Sequence, residues 1–253
     1  MIRLYIKKRL FSYERIIFPE HAVQSDADIL RYMRFYELPG EIRTSSWDQY
    51  RTPVIDLTAD AETIRSRYSK EVRYEVRRAA REDICYRLFE RLEQSLIEEL
   101  RDKYFAFCDS IRMPSLKSNF DEAEIRQMAD ANNVLVTKAE YENGWVYHIY
   151  QVDGRTAMLW FSFSDYRKEG GNRSMAGWAN RGLHDFDIMH LKEAGYQTYD
   201  FGNIASEDAP NEIDKFKLSF GGTPVTAYCC FVGNTGKGKC LIALRQIKTR
   251  LHS

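Results

Sequence analysis

Residues 199–222 read YDFGNIASEDAPNEIDKFKLSFGG, and the interpretation of the chain turns on them. Tyr199, Phe201 and Ile204 give the first part the character of a buried strand, interrupted by Gly202-Asn203. A glycine inside a strand marks a bulge or a close backbone approach. The acidic loop 205–211 carries Pro210 and is long enough to border a pocket. A short helical turn follows, in which Phe216 and Phe220, four residues apart, share a face and Lys217 projects beside it. Gly221 supplies the positive φ of a helix stop.

Outward from this segment, periodicity assigns most of the chain. On its N-terminal side, Gly195 closes a long helix over 175–194, with Ala176, Ala179, Leu183, Phe186 and Met189 or His190 inward. Before that helix come three strands, 134–141, 145–152 and 156–164, joined at Asn143-Gly144 and Asp153-Gly154. Both dipeptides are strong tight-hairpin signals, so the three form an antiparallel meander. Earlier still lie a strand at 53–57 and a helix capped by Thr58 or Asp60 and running to about residue 82. A strand at 84–89, a helix at 93–111 and a helix from Asp121 to about residue 132 complete this part. On the C-terminal side follow a strand at 225–232 and a basic helix at 240–251. Residues 1–53 carry strand patterns at 2–7 and 15–19. Ser25 or Asp26 is placed to cap a helix to about residue 36, ended by Leu38-Pro39-Gly40.

The chain has 253 residues, 44% of them hydrophobic, enough for one large or two small cores. Its 37 basic and 37 acidic residues cancel, which removes the whole-protein basic footprint of a nucleic-acid binder but leaves room for a local patch. Five cysteines without CxxC spacing, and an N-terminal stretch without a signal-peptide core, predict reduced thiols in a cytosol. No run has the length of a membrane span. His148 and His190 lack metal-ligand spacing, so no metal site is expected and both are read as packed, hydrogen-bonded side chains.

The pair DFGNI and IDKFKLSFGG resembles the C-terminal signature of the Fem-type (FemAB) aminoacyl transferases, a branch of the GNAT acyltransferase superfamily. The resemblance implies an α/β (α+β) fold with a mixed, mostly antiparallel central sheet, flanking helices and a splayed strand pair. The strand and helix order read above agrees with it. It further implies a GNAT-like domain over 54–253, preceded by residues 1–53 as an extension or reduced first half. The activity implied is transfer of an acyl or aminoacyl group to an amine of a cell-envelope precursor, a peptidoglycan peptide or an amino sugar. The donor would be aminoacyl-tRNA or acyl-CoA as co-substrate, with no permanently bound cofactor. The partners implied are a small-molecule or lipid-linked amine acceptor and tRNA. The location would be the cytoplasm, with the inner face of the membrane as the alternative.

By the same resemblance the splay lies between strands 156–164 and 198–204. Lys217 would stabilise developing negative charge or a phosphate, and Phe216 would wall the acyl channel. Asp200, alternating with Tyr199 and Phe201, is either a buried general base or a structural acceptor. Tyr147, Trp160 and Ser162 lie on the central strands, where they line the substrate pocket or, for the aromatics, pack in the core, and Tyr166 and Asn203 at strand ends are better placed as substrate contacts. Arg73, Arg77 and Arg81 repeat every four residues, either as a solvated helix face or as a docking face for phosphates. The turn 167–172, with Gly170 and Gly171, precedes a helix N-terminus suited to phosphate but departs from the usual pyrophosphate pattern. A non-catalytic module binding a nucleotide or phosphate ligand is the alternative. An open cleft reaching Lys217 favours the enzyme, and one filled by Phe161, Phe163 or Phe216 favours the module.

Overall fold

A computed structural model describes residues 1–37, 42, 44, 47–167 and 172–251. The elements begin with β1 (Ile2–Lys7), β2 (Ser12–Ile17), β3 (Ile29–Phe35), β4 (Asp48–Asp56), α1 (Ala61–Ser66), α2 (Lys70–Ala79), β5 (Cys85–Phe89), α3 (Gln94–Ser110) and α4 (Glu122–Asp130). They continue with β6 (Val134–Tyr141), β7 (Gly144–Val152), β8 (Thr156–Ser164), α5 (Arg173–Glu193), β9 (Thr198–Asp200), α6 (Glu212–Leu218), β10 (Thr223–Gly233) and α7 (Gly236–Leu251). The chain forms two compact units, residues 1–52 with 225–253, and residues 53–224.

In the first unit the strand order is β1-β2-β3-β10. β1 and β2 are antiparallel, β2 and β3 parallel, and β3 and β10 antiparallel. Ile16, Leu30, Tyr32, Phe35 and Cys230 build its core. The Asp28 carboxylate holds the N-terminal end of β3 in place. It accepts from the Ser12 N–H at 2.9 Å and the Thr235 hydroxyl at 2.8 Å. The helix expected from Ser25 or Asp26 to residue 36 is instead β3. Leu30 and Tyr32 are buried in alternation, which is the period of a strand with neighbours on both sides. Ser25 accepts from the Ala27 N–H in a local turn, and no helix starts there. Residues 38–40, expected to end that helix, lie outside the described residues.

In the second unit the order is β4-β9-β8-β7-β6-β5. The expected meander is present. β6, β7 and β8 pair antiparallel, with Asn143 at φ 63° and Gly154 at φ 87° in the two turns. Alternation along the strands divides the side chains between two helical layers. Tyr147, Phe161 and Phe163 point to the α3 side, where Phe161 and Phe163 pack edge-on against Tyr104. His148 and Tyr150 point to α5. This is the mixed, mostly antiparallel sheet with flanking helices that the sequence leads one to expect.

β8 and β9 are parallel and pair only through Thr156–Thr198, Ala157–Tyr199 and Met158–Asp200. The strand expected to reach residue 204 ends at Asp200, because Asp200 Oδ1 accepts the Gly202 N–H at 2.6 Å and Gly202 takes φ 76°. β8 continues to Ser164 without it. One extra residue, Trp160, sits between the ladder pairs Ile149–Phe161 and Tyr150–Leu159, a bulge that bends β8 at the start of the gap.

The helix expected over 58–82 is two helices. Asp60 caps α1, accepting from the Thr63 N–H, and Ser69 caps α2, accepting from the Val72 N–H. Ile64, Tyr68 and Val72 still face the core across the break, so the apolar period hides it. The break is held from outside. The Ser69 N–H donates to Ser219 O at 2.8 Å, and Arg73 donates to Ser66 O and Tyr68 O.

Gly221, at φ 73°, closes this arrangement, since a Cβ there would meet Arg67 O at 2.3 Å. Gly195 is also left-handed, at φ 86°, with nothing within 4 Å of a Cβ. Gly195→Ala should therefore cost only about 1–2 kcal/mol, the backbone penalty. Gly221→Ala should cost more, upward of ~3 kcal/mol, by adding a backbone clash to that penalty. Urea unfolding of both variants checks this; equal losses would show that the Arg67 contact is not a constraint.

Candidate active site

The gap between β8 and β9 opens into a cavity of about 430 Å³. β8 contributes Leu159, Ser162 and Ser164, α5 contributes Arg173, Asn180 and His184, α6 contributes Phe216 and Lys217, and Phe201 adds its ring from just beyond β9. The lining is mainly apolar and aromatic with a few polar groups, the usual make-up of a small-molecule site.

α6 is fixed by its own N-terminus. Asn211 Oδ1 accepts from the N–H groups of Ile213 at 2.8 Å and Asp214 at 3.0 Å. Asp214 reaches back to the Asn211 N–H, completing a capping box, and also accepts from Ala205 and Ser206. Burial alone raises the Asp214 pKa. The N–H donors of Ala205, Asn211 and Ser206 outweigh it, and the carboxyl is held below its ordinary range. The loop 205–211 is thereby pinned to the helix that carries Lys217. Lys217 Nζ donates to Asn203 O at 2.6 Å, joining the two halves of the DFGN…FK segment at the cavity wall.

Behind this wall lies a buried polar cluster. Asp187 Oδ2 accepts from the Tyr150 hydroxyl at 2.5 Å and is 2.7 Å from His148 Nδ1. His148 Nε2 lies 2.9 Å from Asn180 Oδ1. The Tyr150 and Tyr199 hydroxyls are 2.9 Å apart, and Tyr199 Oη is 2.7 Å from His184 Nδ1. His184 is 1% exposed, and its Nε2 has no hydrogen-bond partner in the protein. Burial, followed by the electrostatic influence of His148, Lys217 and Arg181, pulls its pKa well below 6.5, so the ring is neutral. Burial and then Asp187 push both tyrosine pKa values well above 10, so both phenols stay protonated.

Of the residues singled out from sequence, Ser162, Tyr166, Phe216 and Lys217 come together in the cavity lining. Asn203 is exposed and contributes its carbonyl to Lys217. Asp200 is fully buried and does not line the cavity; its carboxylate turns onto the Gly202 N–H. Tyr147 faces α3, where its hydroxyl donates to Glu99 at 2.8 Å, and Trp160 occupies the bulge; neither lines the cavity. Arg73 is spent on the carbonyls of Ser66 and Tyr68, and Arg77 is exposed on α2. Gly170 and Gly171 lie outside the described residues, and Asn172 caps α5. Phe161 packs against Tyr104 and Phe120, Phe163 and Phe216 form walls, and the cleft between them is open.

His184 and Asp187 were not singled out from sequence. The available signal was Asn180, His184 and Asp187 at i, i+4 and i+7 of α5, polar residues at the spacing of a core stripe. His148 is packed and hydrogen-bonded, as the sequence suggests.

No protein-family model and no curated protein matches the chain. Solved structures do. FemX aligns with 89% of this chain and 83% of its own, at TM-score 0.58 and 9% identity. The C-terminal DUF2156 domain of a protein from Agrobacterium fabrum, assigned as a lysylphosphatidylglycerol synthetase, aligns with 95% of this chain and 83% of its own. Its TM-score is 0.51 and its identity 13%. L-PGS from Bacillus licheniformis aligns with 96% of this chain and 84% of its own, at TM-score 0.50 and 10% identity. At these identities the likeness is one of fold, shared with FemX and with the two synthetase structures. Among the described residues no helix is long and apolar enough to cross a membrane.

The neutral, buried His184 makes stability depend on pH. Its pKa is depressed on folding, so the unfolded chain binds the extra proton first. This contribution is complete above the unfolded value near 6.5 and is lost as pH falls below it, toward the folded pKa. Thermal unfolding between pH 7.5 and 5 should show a decline in the native chain that is shallower in His184→Gln, by up to ~1.4 kcal/mol per pH unit. Parallel profiles would mean that His184 does not contribute.

Proposed function

We propose that this chain forms an amide by transferring an acyl or aminoacyl group to the amine of a cell-envelope precursor, a peptidoglycan peptide or an amino sugar. The observation that carries the reading is the open cavity in the β8–β9 gap, with the ammonium of Lys217 and the ring of Phe216 in its wall. The fold shared with FemX and L-PGS supports the transferase class. The donor is an activated ester or thioester, aminoacyl-tRNA or acyl-CoA, arriving as a co-substrate. The acceptor is a small or lipid-linked amine.

In this reading the reaction needs few covalent tools. Donor carbonyl and amine meet in the gap, and much of the rate enhancement comes from holding them there. β8 beyond Met158 has left its pairing with β9, so backbone N–H groups along that edge become donors for the carbonyl oxygen as it acquires charge. Lys217 supplies a cation at the same wall, and Phe216 shapes the acyl channel. α6 holds both through its cap, so the positive charge is in position before substrate arrives.

The direct test incubates the pure chain with labelled acetyl-CoA or with tRNA carrying a labelled amino acid. Each is paired with a peptidoglycan pentapeptide precursor and with an amino-sugar nucleotide. Label should move to an acceptor from one donor. The departure of the turn 167–172 from the pyrophosphate pattern favours tRNA, so calorimetry should find no low-micromolar CoA binding. Tight CoA binding would overturn the tRNA preference, and transfer from neither donor to either acceptor would sink the reading.

Lys217→Ala should lower kcat about a hundredfold, the loss expected for one stabilising contact in the transition state. Stability should fall by under ~1 kcal/mol, because the contact to Asn203 O is exposed to water. Lys217→Arg should restore part of the rate, since a planar fork does not reproduce a point charge. Lys215, exposed and paired with Glu212 at 2.7 Å, is the matched control, and Lys215→Ala should leave kcat unchanged. Equal losses from Lys215→Ala and Lys217→Ala would assign the effect to diffuse electrostatics.

A further inference from the structure

The transfer reading leaves one chemical need unmet. The attacking amine must lose a proton, and neither Lys217 nor the buried, inward-turned Asp200 is placed to take it. We infer that His184 Nε2 is the proton acceptor of the reaction, set as a base by a one-way hydrogen-bond chain through Tyr199 and Tyr150 to Asp187. This inference rests on the transferase reading and names the residue that completes it.

The direction of the chain follows from counting protons. Tyr150 has a single hydroxyl proton, and of its two neighbours on that side it lies on Asp187 Oδ2 at 2.5 Å and not on His148 Nδ1 at 3.2 Å, because the shorter contact to a carboxylate oxygen needs the proton. Tyr150 Oη can therefore only accept in its 2.9 Å contact with Tyr199, so Tyr199 is the donor there. The one proton of Tyr199 is then used, and its oxygen must accept from His184 Nδ1 at 2.7 Å. His184 consequently carries its proton on Nδ1, which leaves Nε2 with a lone pair. That nitrogen is the unpartnered end of the chain, on a side chain that lines the cavity. A carboxylate orienting an imidazole so that its other nitrogen is basic is a familiar device; here two phenols stand between them.

The surroundings keep the base neutral and fixed. Phe201, Phe216 and Phe220 place their rings 5.1–5.3 Å from the imidazole, excluding water. The titratable groups facing it are Tyr199 from β9, His148 and Tyr150 from β7, Asp187 and Arg181 from α5, and Lys217 from α6. The positive groups among them disfavour a second proton at rest, so the ring enters the reaction unprotonated at neutral pH. A weak base suffices, because the amine proton becomes strongly acidic once the nitrogen has begun to bond to the carbonyl carbon.

The step balances without an outside reagent. The amine lone pair forms the C–N bond, and its surplus proton passes to His184 Nε2. The C–O bond of an ester donor, or the C–S bond of a thioester, then breaks with its electron pair. The departing oxygen or sulfur receives that proton from Nε2. The imidazolium in between is stabilised through Nδ1–H to Tyr199, Tyr150 and Asp187. His184 is the catalytic residue, and Tyr199, Tyr150 and Asp187 are positioning residues.

The test reads the ring first. In the full chain with 15N-labelled histidine, long-range 1H–15N correlations assigned by comparison with His184→Gln should show His184 neutral and protonated on Nδ1 from pH 6 to 8. A ring protonated on Nε2, or imidazolium near pH 6.5, overturns the inference whatever the activity. Tyr199→Phe should remove the tautomer preference. The second arm uses the donor and acceptor pair found to react above. His184→Gln should lower kcat at least a hundredfold, with donor KM within about twofold, and should abolish the acidic limb of the pH–rate profile. Tyr199→Phe should lower kcat about tenfold. A loss confined to KM, or an unchanged pH profile, would reduce His184 to a structural role. An Nδ1–H ring in a chain that transfers from no donor removes the transferase reading and this inference with it; transfer with His184→Gln near native kcat removes this inference alone.

Discussion

Asp200 Oδ1 and the N–H of Gly202 lie 2.6 Å apart, and much of the second unit depends on that bond. It turns the chain at φ 76° after only three ladder pairs, so β8 goes on alone. The space that results is the cavity. The same turn opens the loop 203–211, after which α6 comes back so that Lys217 meets Asn203 O. A strand continued to residue 204, as its apolar residues suggest, would keep β8 paired and leave no room for a ligand. The trade is local: a few ladder hydrogen bonds are exchanged for a side-chain bond, a bulge at Trp160 and an open edge.

The polar stripe along α5 carries a different cost. Asn180, His184 and Asp187 occupy positions that apolar residues would fill with equal or greater stability, since buried polar networks rarely outperform a well-packed core. Their partners on β7 and β9 leave two buried atoms of the stripe without a hydrogen bond, Asp187 Oδ1 and His184 Nε2, and the second belongs to a side chain at the cavity. A strongly perturbed titratable group beside a cleft is where chemistry is commonly found.

Much of this architecture was legible in the sequence because its signals are short-range. Asn143-Gly144 and Asp153-Gly154 fix the meander, Asp60 and Asp121 cap helices, Gly195 and Gly221 end them, and the DFGN and FK pieces bring Phe216 and Lys217 to the site. What escaped is set by partners distant in the chain. ILRYMRF carries Leu30 and Met33 at helical spacing as well as Leu30 and Tyr32 at strand spacing. Pairing with β2 and β10 decides between them. Ile64, Tyr68 and Val72 keep one helical period, so the break between α1 and α2 is visible only once Ser219 O is seen to bind Ser69 N–H. His184 on its own looks like any histidine on a helix. Its meaning comes from Tyr199 and Tyr150, which only the folded sheet brings to it.

The way α6 is held has a consequence for how such a protein can diversify. Its ends are fixed by the Asn211 and Asp214 cap, by Ser219 O and by the backbone contact at Gly221, none of which involves Glu212 or Ile213 side chains. Those two nonetheless line the cavity, and Ile213 is 67% exposed. Rim and anchor are thus encoded by different residues on one seven-residue helix. Mutational drift at the rim can reshape what the mouth admits while Lys217 stays where it is. What the cavity admits can change within this scaffold by single substitutions that leave its fold and the position of Lys217 intact.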